Sequence, residues 1–460
     1  MTPSEMYAIT GQFIARFVET PLPDAVTERA RLIALDTVAV IVRGYREADI
    51  SAYTKACPTR PHGASLIRAG GGRTEPGQAI LCNTASAAAL ELCEGHRRAM
   101  GHIALQILPA VLATAEVHHL PGRRILPALT LGYEIATRMG AASKRHFRAH
   151  GHGIWAAAGS AVAIARLLER TPDEIVECLK IASNLSLAPS FSTHAEGATV
   201  RNLTAGMGAM IGYQVPALQQ AGYLGSLSAM SVTLGETLGA SFSPERFVEG
   251  MGDEFCVMDN YFKFDASGRH MQAPAQALRE IMAQQLVDPE KVKRIRVETY
   301  QPAATLTQRE PPNGLAAKTS IPYAIAAQLI LGHLGVEAYD AERLRDPRIQ
   351  RLMQRVELWE GQPDPPASGR ADPMARWARV IVETDTSEPL CGYCANPPGE
   401  GDTPASATQL RDKFDSLTQP MLGAAGAASL YRLFSELETL DDFGQALVGC
   451  LLEAENRNFV

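Results

Sequence analysis

Aromatic residues are scarce in this chain, at 6% of positions, so rings cannot fill most of the interior. Small residues, chiefly Ala and Gly, must take their place, and that suits closely packed helices. Long apolar runs are also missing. None reaches the ~18 residues of a membrane span, so no membrane partner is expected. Basic charge is not in excess: 43 Lys and Arg stand against 50 Asp and Glu, a formal net charge of -7. The densest basic cluster, KVKRIR at 291–296, falls in a strand-like stretch. That is a weak nucleic-acid footprint, and no nucleic-acid partner is expected. The eight cysteines are scattered and read as reduced thiols rather than a disulfide framework. The opening MTPSEMYAIT has no basic segment leading into an apolar one, so no signal peptide is expected. A cytoplasmic location follows as an expectation.

Several catalytic signatures are absent too. AGGGR at 69–73 is Gly-rich but lacks the spacing of a phosphate loop or a dinucleotide fingerprint, and a hairpin turn explains it better. There is no G-x-S-x-G elbow, so a hydrolase triad is unsupported. His96 and His102 are six apart rather than a tight ligand pair. CGYC at 391–394 has no companion pair, and its thiols read as loop residues. No metal and no cofactor are expected.

The first half reads as helix after helix. DAVTERARLIALDTVAVIVRG carries helical apolar spacing and stops at Gly44. Two later stretches, LPALTLGYEIATRMGAAS and IWAAAGSAVAIARLLER, are apolar nearly all round, so those helices should be deeply buried. In RTPDEIVECLKIAS, Thr171 caps, Pro172 takes the first position and Glu174 completes a capping box. After about Tyr261 the composition changes. VKRIRVETYQPAA and RWARVIVETD are strand-like, with helices predicted at TSIPYAIAAQLILG and DPRIQRLMQRVEL. CGYCANPPGEGDTPASATQ reads as a loop, and helix returns at the end. The expected fold is mainly α: a large all-helical domain over 1–265, completed by C-terminal helices at 405–460, with a smaller α/β domain inserted at 266–404, the segment that the resemblance described below makes a lid.

Chemistry-bearing residues gather in three segments. ELCEGHRRAMGH, from Glu91 to His102, sits between two apolar runs and reads as a metal site, an acid/base site or a solvated loop. RAHGHGIW sets His150 and His152 at the start of a buried helix, where imidazoles serve either chemistry or internal hydrogen bonding. YFKFDASGRHMQ brings Lys263, Arg269 and His270 to the domain boundary, a common place for ligands.

Taken in order, the segments resemble the MmgE/PrpD family, which includes 2-methylcitrate dehydratase, cis-aconitate decarboxylase and iminodisuccinate epimerase. The resemblance runs through Asn83, the Glu91/Glu94 pair and His102 before IALQILPAVLATAE. It continues through Gly132, Tyr133, Glu134 and Arg138, then His150 with Leu167 and Leu168. VRNLTAGMGAMIGYQVPALQQAGYLG, FKFDASGRHMQ, Ser320 to Tyr323 and PPGEGDTPASATQLRDKF complete the set. It implies metal-free chemistry on small di- or tricarboxylates, in a homodimer whose site lies between a helical domain and its lid. By the same resemblance, His102, His150, Lys263 and Tyr323 are the catalytic residues, and Glu91, Arg201 and Arg269 bind substrate. His150 or Tyr323 takes the acid/base role and His102 binds or shuttles a proton. His96, Arg97 and Arg98 become loop or rim residues. The implied reaction is dehydration of a 2-methylcitrate-like substrate by proton removal beside a carboxylate.

The chain also departs from the family pattern. The acidic cluster is Glu-Leu-Cys-Glu-Gly rather than Asp-rich, and Ser267 and Gly268 replace two cysteines. Gln272 stands for a His, Ile103 for a Pro, and Arg201 for a Lys. An Arg, with a pKa above ~12, is a poor proton carrier. These departures weaken a decarboxylase assignment and leave open an epimerase or isomerase of an amino or hydroxy diacid, or a non-catalytic diacid-binding homologue.

Overall fold

A computed structural model describes residues 1–146, 149–187, 189–364, 372, 374–385, 388–401 and 403–457. The chain is mainly helical. The scarcity of aromatics explains how the helices meet. Helix Ala156–Leu167 packs between Ile125–Ala142 and Thr204–Gln220. A Cβ on Gly132 would lie 2.5 Å from the carbonyl oxygen of Gly159, and one on Gly212 would lie 2.5 Å from that of Ala157. At those crossings backbone touches backbone, and no larger residue fits.

Helix Asp24–Gly44 ends where the sequence indicates, and is buried on every side from Ile33 onward. It packs against Pro76–Leu90 and Ala407–Ser435. The capping box at Thr171 forms: its hydroxyl accepts from Glu174 N, and Glu174 Oε2 accepts from Thr171 N at 2.8 Å. The last helix, Phe443–Arg457, packs on Ala407–Ser435 and Leu108–Val117. The C-terminal helices therefore return to the N-terminal ones.

A four-stranded sheet runs in the order Leu390–Cys394, Ala378–Thr384, Val292–Thr299, Val356–Glu360. The first two pairings are antiparallel and the last is parallel. Val297 pairs with both Val380 and Leu358. Val292, Ile295, Val297 and Thr299 face inward, toward a layer formed by helix Arg269–Gln284, with Ile321–Leu331 beside it. Two sequence readings are corrected here. The predicted helix over DPRIQRLMQRVEL stops at Met353, and Val356–Glu360 is a strand, because Val356 finds Ile295 as a parallel partner. CGYC is an edge strand rather than a loop. Gly392 lets helix Arg269–Gln284 lie directly on it, since a Cβ there would stand 2.1 Å from Ala277 O.

A short ribbon fixes the site. Gly95–His96 pairs antiparallel with Asn260–Tyr261, bringing Lys263 beside the segment 91–102. Among the described residues, no helix is long and apolar enough to cross a membrane.

Candidate active site

Helix Pro76–Leu90 ends at Glu91, which adopts the left-handed conformation (φ 53°, ψ 32°). That conformation is uncommon for a residue with a Cβ, and it turns a buried carboxylate inward. Glu91 pairs with the Arg201 guanidinium. Its Oε2 lies 3.5 Å from Lys263 Nζ and 3.6 Å from His102 Nε2. Burial alone would raise its pKa, but Arg201 and Lys263 outweigh burial and hold the carboxyl well below its ordinary value.

His102 is oriented by its other nitrogen. Nδ1 stands 2.6 Å from the Glu94 carbonyl oxygen, which can only accept. Nδ1 therefore carries the proton in the neutral ring, and Nε2 presents a lone pair, 3.5 Å from Lys263 Nζ. Burial, with Lys263 adding to it, lowers the His102 pKa, so the neutral form is favoured. Lys263 is almost fully buried. It donates to the carbonyl oxygens of Glu91 and Ser267. Burial lowers its pKa, against the pull of Glu91. Gln272, which replaces a family His, donates to Ser267 O and Ser267 Oγ and braces the turn that holds Lys263.

Three more imidazoles complete the wall. His150 Nδ1 accepts from His152 N at 3.0 Å, so its proton sits on Nε2, the opposite tautomer to His102. Its ring stacks on Phe191 and meets His152 edge-on at 4.6 Å. His152 meets His102 edge-on at 5.0 Å. Burial, reinforced by Arg201, lowers His150 and His152 well below the ordinary imidazole value and pushes His194 down to about 3. Gln106 ties the two histidine segments together, donating to His102 O at 2.5 Å and accepting from Gly153 N at 2.9 Å.

These groups enclose a cavity of about 190 Å³, the space of about six waters and below the usual range for drug-sized ligands. Its lining includes His102, His150, His152, His194 and His270, with Arg145, Arg201, Arg269 and Arg376; Glu91 is the one acidic residue among its described lining. Residues from both the N-terminal helices and the segment after Tyr261 form the wall.

Of the residues singled out from sequence, Glu91, His102, His150, Arg201 and Arg269 line the cavity, and Lys263 touches Glu91 and His102 from behind it. Tyr323 lies apart. Its hydroxyl donates to Ala338 O at 2.5 Å and its ring packs near Tyr339. Arg269 forks onto Glu400. Several resemblance residues are structural. Glu134 pairs with Arg138 at 2.5 Å, and Arg138 donates to the Phe247 and Glu249 carbonyls. Asn83 bridges Ser65 O and Ile67 N. Glu94, pushed up to about 7 by burial, accepts from Ala104 N and Tyr133. His96 is not a loop residue: it is fully buried, with Nε2 3.0 Å from Cys256 O. Sequence reasoning passed over His194, Arg145 and Arg376. None carries a local signal, because tertiary contacts alone bring them to the cavity.

Glu91, His102 and His152 bring ligand-type atoms within 4.8 Å of one another. The donor chemistry fits a cation poorly, since Arg201 and Lys263 already bracket the carboxylate and Lys263 faces the His102 lone pair.

A helical protein with a partly open pocket of neutral imidazoles and guanidinium groups defines a class suited to holding a small anion beside proton-transfer groups. Residues 9–242 match the MmgE/PrpD N-terminal domain and residues 266–438 the MmgE/PrpD C-terminal domain. The chain belongs to the MmgE/PrpD family. It is 26% identical over 338 residues to a cis-aconitate decarboxylase of Aspergillus terreus, covering 67% of this chain and 68% of that protein. It is 22% identical to the cis-aconitate decarboxylase-like protein oryM of Aspergillus oryzae, over 95% of each chain. Similarity to cis-aconitate decarboxylase of Mus musculus is 24%, over 73% of this chain and 70% of that one.

Proposed function

We propose that this protein is a metal-free lyase that removes a proton beside a carboxylate of a small di- or tricarboxylate. The observation that carries the reading is the cavity wall itself: four arginines against one glutamate, with buried neutral histidines between them. The similarity to cis-aconitate decarboxylases supports the lyase class. The ion pairs on Glu91 support a reaction without a metal. The segment 266–404 is proposed as the lid over this cavity.

The opposed tautomers suggest the division of labour. His102, with an unprotonated Nε2, is the base that takes the proton from carbon. The electron pair of that C–H bond moves toward the neighbouring carboxylate as an enediolate. Lys263 and Arg201 supply positive charge where this charge develops. In a dehydration, the C–O bond to the departing hydroxyl then breaks, and His150 Nε2–H donates the proton that lets it leave as water. This keeps His150 in an acid/base role, as the acid, makes His102 the base rather than a binding or shuttling group, and gives Tyr323 a structural role.

The test is incubation of the protein with 2-methylcitrate, citrate, cis-aconitate and iminodisuccinate in deuterated water. Turnover or carbon-bound deuterium with at least one of them is expected. If none of the four reacts or exchanges, the reading fails.

A further inference from the structure

The four arginines of the cavity are not equivalent. Arg201 is paired with Glu91 and also donates to Ala88 O at 3.0 Å, although its buried Nε is unpartnered too. Arg269 makes a two-pronged contact with Glu400 and lies over the Tyr261 ring at 4.7 Å. Both have a protein carboxylate. Arg145 and Arg376 make no ion pair among the described residues; Glu400, already held by Arg269, acts on Arg376 only from farther away. Arg145 donates from Nη1 to Ala149 O at 3.0 Å, and its buried Nε has no partner. Arg376 donates weakly to Met374 O at 3.3 Å, lies over the Tyr300 ring at 5.0 Å, and also leaves a buried Nε unpartnered.

Both guanidiniums are half-buried, and one held partly out of water without an ion-pair partner is costly. It is retained where a ligand supplies the missing carboxylate, and the planar fork of Arg suits that carboxylate in two-pronged geometry. The surroundings accommodate such a role. Gly151 leaves room for Arg145, because a Cβ there would stand 3.3 Å from Nη1. Arg145, with Met100 and Phe191, lines both the small cavity and an adjoining cleft of about 1050 Å³. It therefore stands where the two spaces meet.

We propose that Arg145 and Arg376, rather than Arg201 and Arg269, are the specificity-determining residues that each hold one carboxylate of the substrate. This rests on the polycarboxylate reading above and deepens it: the ligand carries at least two carboxylates besides any charge that develops next to Lys263. Monocarboxylates would engage only one fork and bind far more weakly.

The test is equilibrium binding of tricarballylate, which has neither a hydroxyl to lose nor a double bond, so that binding is read without turnover. Butyrate serves as the monocarboxylate comparison. Wild-type protein, Arg145→Gln, Arg376→Gln and the corresponding Lys variants are titrated, and each ligand-free protein is melted. Either Gln variant is expected to weaken tricarballylate roughly 10–100-fold, with Lys recovering part of the loss. The ligand-free melting temperature should hold or rise, because an unpaired, half-buried charge has been removed. Unchanged tricarballylate affinity in both Gln variants overturns the assignment. So does a marked drop in ligand-free melting temperature, which would make these arginines structural. A wild-type protein that binds tricarballylate no better than butyrate overturns the polycarboxylate reading itself, and the assignment with it.

Discussion

Replacing Glu91 by Gln removes one negative charge from a buried knot of cations while keeping shape and one acceptor oxygen. Arg201 loses its ion-pair partner, Lys263 loses a carboxylate at 3.5 Å, and His102 loses one at 3.6 Å. Breaking a buried pair by deleting one partner costs about 3–5 kcal/mol, and here two cations are stranded rather than one. Glu91→Gln should therefore lose stability at the upper end of that range, read as a lower urea midpoint at neutral pH with an unchanged slope. The pH dependence supplies a second check. Glu91 has a folded pKa held well below its ordinary 4.5. Its contribution is fully present above that ordinary value and is lost as pH falls through the lower folded one. The gap between wild type and variant should narrow as pH falls below about 5. The Lys263 amine, deprived of the charge that raises its pKa, should deprotonate at still lower pH in the variant. A midpoint that hardly moves, or a gap that widens in acid, would refute this reasoning.

Three further outcomes follow from the same contacts. Histidines 96, 150, 152 and 194 are buried neutral, with His96 and His194 pushed to about 3 from an ordinary 6.5. The unfolded chain binds more protons below 6.5, so stability is complete above that pH. It should fall by about 1.4 kcal/mol per pH unit for each such histidine on acidification; equal urea midpoints at pH 7.5 and 5.5 would contradict this. Gly132→Ala would drive a methyl to 2.5 Å from Gly159 O and 2.7 Å from Ala163 Cβ, and should cost about 1–3 kcal/mol by chemical denaturation. Tyr323→Phe strands the buried Ala338 carbonyl and should cost about 1–3 kcal/mol of stability while leaving kcat unchanged; a collapse in kcat with stability intact would return Tyr323 to the chemistry.

Local signals were legible where local physics decides. Thr171 and Glu174 announce their helix start, and Gly44 marks an end, because caps and breakers act within a few residues. Val356–Glu360 and Leu390–Cys394 were misread because their strand character comes from neighbours far along the chain: Val356 needs Ile295, and Leu390 needs Val382. The site was legible in the same uneven way. Glu91, His102, His150 and Lys263 sit in dense polar segments between apolar ones, a contrast visible without coordinates. His194, Arg145 and Arg376 sit among ordinary polar residues, and only the folded cavity distinguishes them. His96 was misjudged for the reverse reason: its neighbours Arg97 and Arg98 reach outward to Asp372 and Asp259, while the ribbon with Asn260 buries the imidazole.

The most direct test concerns the His102 lone pair. His102→Asn keeps a donor for the Glu94 carbonyl but removes the basic nitrogen beside Lys263. With the substrate found in the panel above, solvent deuterium incorporation by wild type and His102→Asn is compared by NMR on proteins of equal melting temperature. The account predicts a loss of at least ~100-fold in the variant. Incorporation at the wild-type rate would contradict it and move the base elsewhere in the cavity.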